Sequence, residues 1–140
     1  MTSPNLITDA VAAHTFAMGG RARFTLVSKQ TGKRYTFRVA KAKDAEMFFA
    51  SLLVGQNNEA DYEYLGFIKD DLGALVAGRK GNAEHPAFKA LDWTLRKLAA
   101  DDMPEQLEFW HEGRCGRCGR ALTDPASIDA GFGPECINHI

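Results

Sequence analysis

The 140-residue sequence predicts an α+β fold, an antiparallel sheet of about five strands packed on one main helix, with a small cysteine-based finger at the C-terminus. Three observations predict it. Apolar and polar residues alternate with period two through 21–41, the pattern of paired strands. Phe88, Leu91, Leu95 and Leu98 recur at helical spacing after Pro86. Cys115, Cys118 and Cys136, the only cysteines, fall together in the last quarter of the chain.

Residues 8–18 read as a short helix, with Thr8 as its cap, Asp9 in its first turn and Gly19-Gly20 as its stop. Strands are expected at 21–29 and 34–41, joined by the turn 30–33. Phe24, Leu26, Tyr35, Phe37 and Val39 then take one face, and Arg23, Arg34, Thr36 and Arg38 take the other. Residues 47–55 and 61–69 read as a second hairpin around the polar turn 56–59, and 74–79 as a short fifth strand before the breakers Gly81 and Asn82. Connections this short require antiparallel pairing. The main helix spans 86–100, with Trp93 off its apolar stripe, where it contacts the finger or acts as an exposed anchor, ordinary packing being the simplest account. Residues 107–111 read as a strand feeding the cysteine motif. These divisions give an N-terminal helical segment (1–20), a sheet-and-helix domain (21–104) and a finger (105–140), the last docked across a hinge of a few residues.

An apolar fraction of 45% with 10% aromatic residues is globular, and no segment approaches the roughly 18 consecutive apolar residues of a membrane span. Residues 1–20 lack the basic start and apolar core of a secretory signal. The expected location is the cytoplasm, with no membrane partner. The formal net charge of −1 hides a split: 21–43 carries eight basic residues and no acid, and 44–71 carries seven acids and one lysine. Pairing across strands is the simplest account of that split.

The cysteines follow a metal-site spacing. Cys115-Gly-Arg-Cys118 sets two soft ligands on a tight turn, and after seventeen intervening residues Cys136-Ile-Asn-His139 sets two more one helical turn apart. Three cysteines cannot close as disulfides without a remainder, whereas Cys115, Cys118, Cys136 and His139 complete a Cys3His set for one structural Zn2+. That ligand order is treble-clef-like. Gly116 and Gly119 tolerate the bend that points amide N–H groups at thiolate sulfur. His111, four residues before Cys115, is the competing fourth ligand.

The run Glu112-Gly-Arg-Cys-Gly-Arg-Cys-Gly-Arg-Ala-Leu-Thr-Asp-Pro-Ala-Ser-Ile128, followed by Gly131-Phe-Gly-Pro-Glu-Cys136, resembles a family of uncharacterised bacterial and bacteriophage proteins. Their C-terminal zinc knuckle reads CGxCGRxLTDPxSIxxGxGPxC. Thr31-Gly-Lys-Arg-Tyr-Thr-Phe-Arg-Val39 and Asp61-Tyr-Glu-Tyr-Leu-Gly66 look like the same family's sheet, so the resemblance runs through most of 20–138. It implies zinc and a phage or mobile-element setting, and no established activity.

A closed four-ligand zinc has no position for water or substrate. The four histidines are scattered, and no phosphate-binding loop is present, so neither catalysis nor a small-molecule substrate is expected. Arg114, Arg117 and Arg120 recur around the knuckle. With Arg23, Arg34, Arg38 and Lys41 they can follow the phosphates of a nucleic acid, or the knuckle arginines can offset a thiolate–zinc cluster of net negative charge. Tyr35, Tyr62 and Tyr64 add rings on which bases can stack, though strand packing accounts for them equally. Two partner classes follow: nucleic acid or a nucleoprotein complex, and, through the acidic 44–71 surface, a protein partner such as a host defence complex that a phage inhibitor or adaptor would engage.

Overall fold

A computed structural model describes residues 5–43, 47–57, 60–69, 75–79, 81 and 83–139, with His139 described by its backbone alone. In chain order the elements are β1 (Leu6–Ile7), α1 (Ala10–Ala17), β2 (Arg21–Ser28), β3 (Arg34–Lys41), β4 (Phe48–Leu53), β5 (Tyr62–Ile68) and β6 (Leu75–Val76). They continue with α2 (Pro86–Ala99), β7 (Leu107–His111), α3 (Pro125–Ala130) and a terminal 3-10 turn (Cys136–His139).

Alternation along β2 and β3 sets the frame. Phe24 lies opposite Phe37, Leu26 opposite Tyr35 and Ala22 opposite Val39 on one face, while Arg23 faces Arg38 and Thr25 faces Thr36 on the other. Among the described residues the sheet has seven antiparallel strands in the order β1-β7-β2-β3-β4-β5-β6, where the sequence suggested about five. The difference has two physical sources. β1 is two residues long, too short for any periodic signal, and β7 is placed by pairing far along the chain: Phe24 opposes His111 and Leu26 opposes Phe109. The strand expected to feed the knuckle is therefore an inner strand of the sheet.

Both long helices cover the same sheet face. α2 buries Phe88, Leu91, Leu95 and Leu98, the stripe read from the sequence, and begins with Pro86 after His85, whose Nδ1 accepts the Ala87 N–H at 3.0 Å. α1 is capped by Asp9 and not by Thr8: its carboxylate accepts the Ala12 N–H at 2.9 Å. α1 packs on α2 and sends Phe16, fully buried, against Phe109, which stacks on Phe24 at 4.6 Å between ring centroids. Burial of aromatic and aliphatic side chains here is the main stabilising term, about 25 cal/mol per Å2 of apolar surface removed from water. Trp93 stays 39% exposed beside the β2–β3 turn, with Lys97 Nζ 6.0 Å from its ring centroid, and lines a groove with Gln106 and Leu107 at the start of the 105–140 segment. Of the acidic stretch, Asp44, Glu46, Glu59, Asp70 and Asp71 lie outside the described residues, as do Ala74 and Asn82.

Candidate metal centre

After β7 the chain turns back on itself in a tight hairpin. The Leu122 N–H donates to the Gly113 carbonyl at 2.8 Å and the Cys115 N–H to the Arg120 carbonyl at 2.9 Å, with Arg114 and Ala121 bridged between them. The Gly119 N–H closes the turn onto the Cys115 carbonyl at 2.9 Å, and Gly119 itself has φ +78, a left-handed conformation costly for any residue with a Cβ. This turn fixes Cys115 and Cys118 side by side. α3 follows, with Asp124 accepting the Ser127 N–H at 3.3 Å and Pro125 at its first position, and the terminal 3-10 turn returns Cys136 to the same place.

The three sulfurs lie within 4.8 Å of one another, Cys115 and Cys136 buried and Cys118 exposed. Thiolates around a tetrahedral ion at about 2.3 Å sit roughly 3.8 Å apart, so small side-chain adjustments suffice for the group to hold one metal ion. The surroundings suit ionised sulfur. Backbone N–H groups of Arg117 and Gly133 each point at Cys115 Sγ from 3.4 Å, and the Arg117 guanidinium donates to Cys136 Sγ at 3.5 Å. Burial opposes ionisation of Cys115, but hydrogen bonds from the backbones of Gly133, Cys118 and Arg117 outweigh it and bring that thiol down from 9.0 to about 7. For Cys136 the Arg117 guanidinium favours the thiolate, yet burial and the neighbouring sulfurs, Cys115 above all, push the thiol up. A cation held among the three sulfurs would offset the charge of their thiolates.

Residues 106–140 match the model of a family of unknown function (DUF6011). No curated protein and no solved structure matches the chain. The DUF6011 match takes in β7, the hairpin, α3 and all three cysteines, and stops short of the upstream sheet.

Among the described residues, the metal-competent group is the three cysteines. The His139 side chain lies outside the described residues. His111 has other work. Its Nδ1 accepts the Gly113 N–H at 3.0 Å, which leaves Nε2 as the protonated nitrogen that donates to the Ile128 carbonyl at 2.5 Å. Both ring nitrogens are occupied in binding the hairpin to α3, and the ring is buried, 5.6 Å from that of Phe16.

The seven basic candidates separate into three groups. Arg23 and Arg38 are cross-strand partners on the helix-free face, both over the Tyr62 ring at 6.0 and 4.5 Å. Arg34 is exposed at one end of β3 and Lys41 at the other, about 23 Å apart along the strand. In the knuckle, Arg114 donates to the Gly119 carbonyl at 3.3 Å, Arg117 serves Cys136, and Arg120 is exposed. Lys41 and Arg117 do meet, in an open groove of about 1220 Å3 also lined by Arg21, Lys43, His14, Phe48 and Cys118. Arg21 and Lys43 were legible only as members of a basic run; their place beside the knuckle depends on the Arg21 N–H donating to the Gly116 carbonyl at 2.9 Å. Of the three tyrosines grouped from the sequence, Tyr35 shares the core face with Phe37, and Tyr62 and Tyr64 lie on the opposite one.

Proposed function

We propose that this chain is a non-enzymatic zinc protein that binds nucleic acid. Three thiolates with an imidazole are the donor set that selects Zn2+ in a reducing compartment, and His139, one turn after Cys136, is the residue placed by spacing to complete it. The order hairpin, helix α3, terminal turn agrees with a treble-clef-like finger. A site filled by four protein ligands has no open position for water, so the ion holds structure and performs no chemistry.

The observation that carries nucleic-acid binding is the groove between α1, the base of the β2–β3 hairpin and the knuckle. Arg21, Lys41, Lys43 and Arg117 line it, and none of the described residues lining it is acidic. Guanidinium and ammonium groups converging on one channel are what phosphodiesters require, and they join the two basic clusters that the sequence keeps about 75 residues apart. Anisotropy titration of the zinc-loaded chain with a labelled oligonucleotide tests the reading. Binding should weaken steeply with salt, and Lys41→Glu with Lys43→Glu should lower affinity by at least about tenfold at low salt. Absence of affinity for any oligonucleotide at low salt would overturn it.

A protein partner is the second reading, favoured by the apolar groove of about 340 Å3 where Trp93, Tyr35, Leu26 and Leu107 meet beside the hairpin turn. Trp93→Ala should then abolish capture of a host complex and leave zinc content unchanged.

A further inference from the structure

Antiparallel sheets with one packed face normally turn polar residues to water on the other. This sheet does so only in part. On the helix-free side, β4 and β5 present Phe49, Tyr62, Tyr64 and Phe67: Phe49 pairs with Phe67, Ser51 with Tyr64, and a register shift between Ala50 and Ser51 keeps both sets on the same side. Phe49 is 41% exposed, and its ring lies 6.2 Å from that of Tyr64 at 59°. Phe49, Tyr64, Phe67, Gly78 and Arg79 enclose a concavity of about 490 Å3, within the usual range for a small-ligand pocket. Beside it the Arg38 guanidinium already stacks 4.5 Å above the Tyr62 ring.

We propose that this aromatic face binds the unpaired bases of single-stranded nucleic acid. The inference rests on the nucleic-acid reading above and narrows it. Aromatic rings with arginine among them offer planar, polarisable surfaces to bases, which every base can use, whereas bases inside a duplex are stacked on one another and cannot reach a sheet surface. Position supports the same occupant. Lys41 pairs with Phe48 on the helix side and Ala40 with Phe49 on the helix-free side, so the basic groove and the aromatic face border on the same end of β3 and β4. A strand whose phosphates follow Arg21, Lys41 and Lys43 would pass round that end of the sheet to lay its bases on Phe49 and, two residues further along β4, on Tyr64 opposite Ser51.

The test compares a single-stranded oligothymidylate with a duplex of equal length, titrated at low salt against the zinc-loaded full chain. The single strand should bind at least about tenfold more tightly, and Phe49→Ala and Tyr64→Ala should each weaken it roughly five- to a hundred-fold with duplex affinity unmoved. Tyr64→Phe keeps the ring and should retain affinity, which separates lost stacking from lost folding. Equal affinity for duplex and single strand, or full single-strand affinity in Phe49→Ala and Tyr64→Ala while the Lys41 and Lys43 variants lose it, overturns the stacking role and leaves the phosphate groove standing. No affinity for either oligonucleotide removes both.

Discussion

His111 and Cys136 illustrate how two residues with the same potential as ligands are sorted by their surroundings. The imidazole of His111 is neutral, buried and doubly hydrogen-bonded, so a metal could take it only by breaking its bond to Gly113 or Ile128. Cys136 has its sulfur turned to the other two thiols and to Arg117. His111→Ala should therefore lower the melting midpoint, leaving the Gly113 N–H and Ile128 carbonyl short of partners at about 1–3 kcal/mol each, with one metal per chain still retained. Cys136→Ser should lose the metal. Elemental analysis beside thermal melts distinguishes the two, and a metal-free His111→Ala protein that still folds would make His111 a ligand. The cysteines were legible because metal spacing is local in sequence; the occupation of His111 was not, since Ile128 lies seventeen residues away on a helix too short to announce itself.

At the scale of elements, α1 explains how the knuckle is held. Phe16 meets Phe109 at 6.1 Å, His111 at 5.6 Å and Phe132 at 5.8 Å, so one side chain joins the helix to β7 and to both sides of the finger. Gly116 lies so close beneath it that an added Cβ would come 2.8 Å from the ring. The sequence reading assigned this glycine to the bend at the cysteines; the structure assigns it to close packing. Phe16→Ala should cost about 3–5 kcal/mol and speed metal loss to a chromogenic chelator. Gly116→Ala should cost about 1–3 kcal/mol through overpacking, and less in a Phe16→Leu background, a coupling that a double-mutant cycle reads directly. The function of residues 8–18 could not be read from their own pattern, because Ala10, Ala13 and Ala17 bury little surface and the contact that matters is made by Phe16 with residues about a hundred positions later.

Across the whole molecule, most of the sheet was legible and its closure was not. Period-two alternation located β2 and β3, and apolar runs about a polar turn located β4 and β5, all within one or two residues; alternation also separated Arg23 and Arg38 from Phe24 and Phe37. Alternation says nothing of which strand lies beside which, and so the place of β7 between β1 and β2 was hidden. That place has a mechanical consequence. The knuckle and the sheet share residues: Arg21 opens β2 and donates its N–H to Gly116, while His111 ends β7 two residues before the hairpin begins. Chelation of the metal should remove amide-exchange protection at Cys115, Gly119 and Arg21 and leave it intact where β3 and β4 pair with each other, from Phe37–Leu52 to Ala40–Phe49. A chain ending at residue 104 should fare worse than the metal-free one. It lacks β7, so the β2 edge and the faces of Phe16 and Phe24 that Phe109 covers are opened to water, and an exposed apolar edge strand invites pairing with other chains. Size-exclusion chromatography should find it aggregated; a monomer with a cooperative melt would mean that the sheet holds without β7.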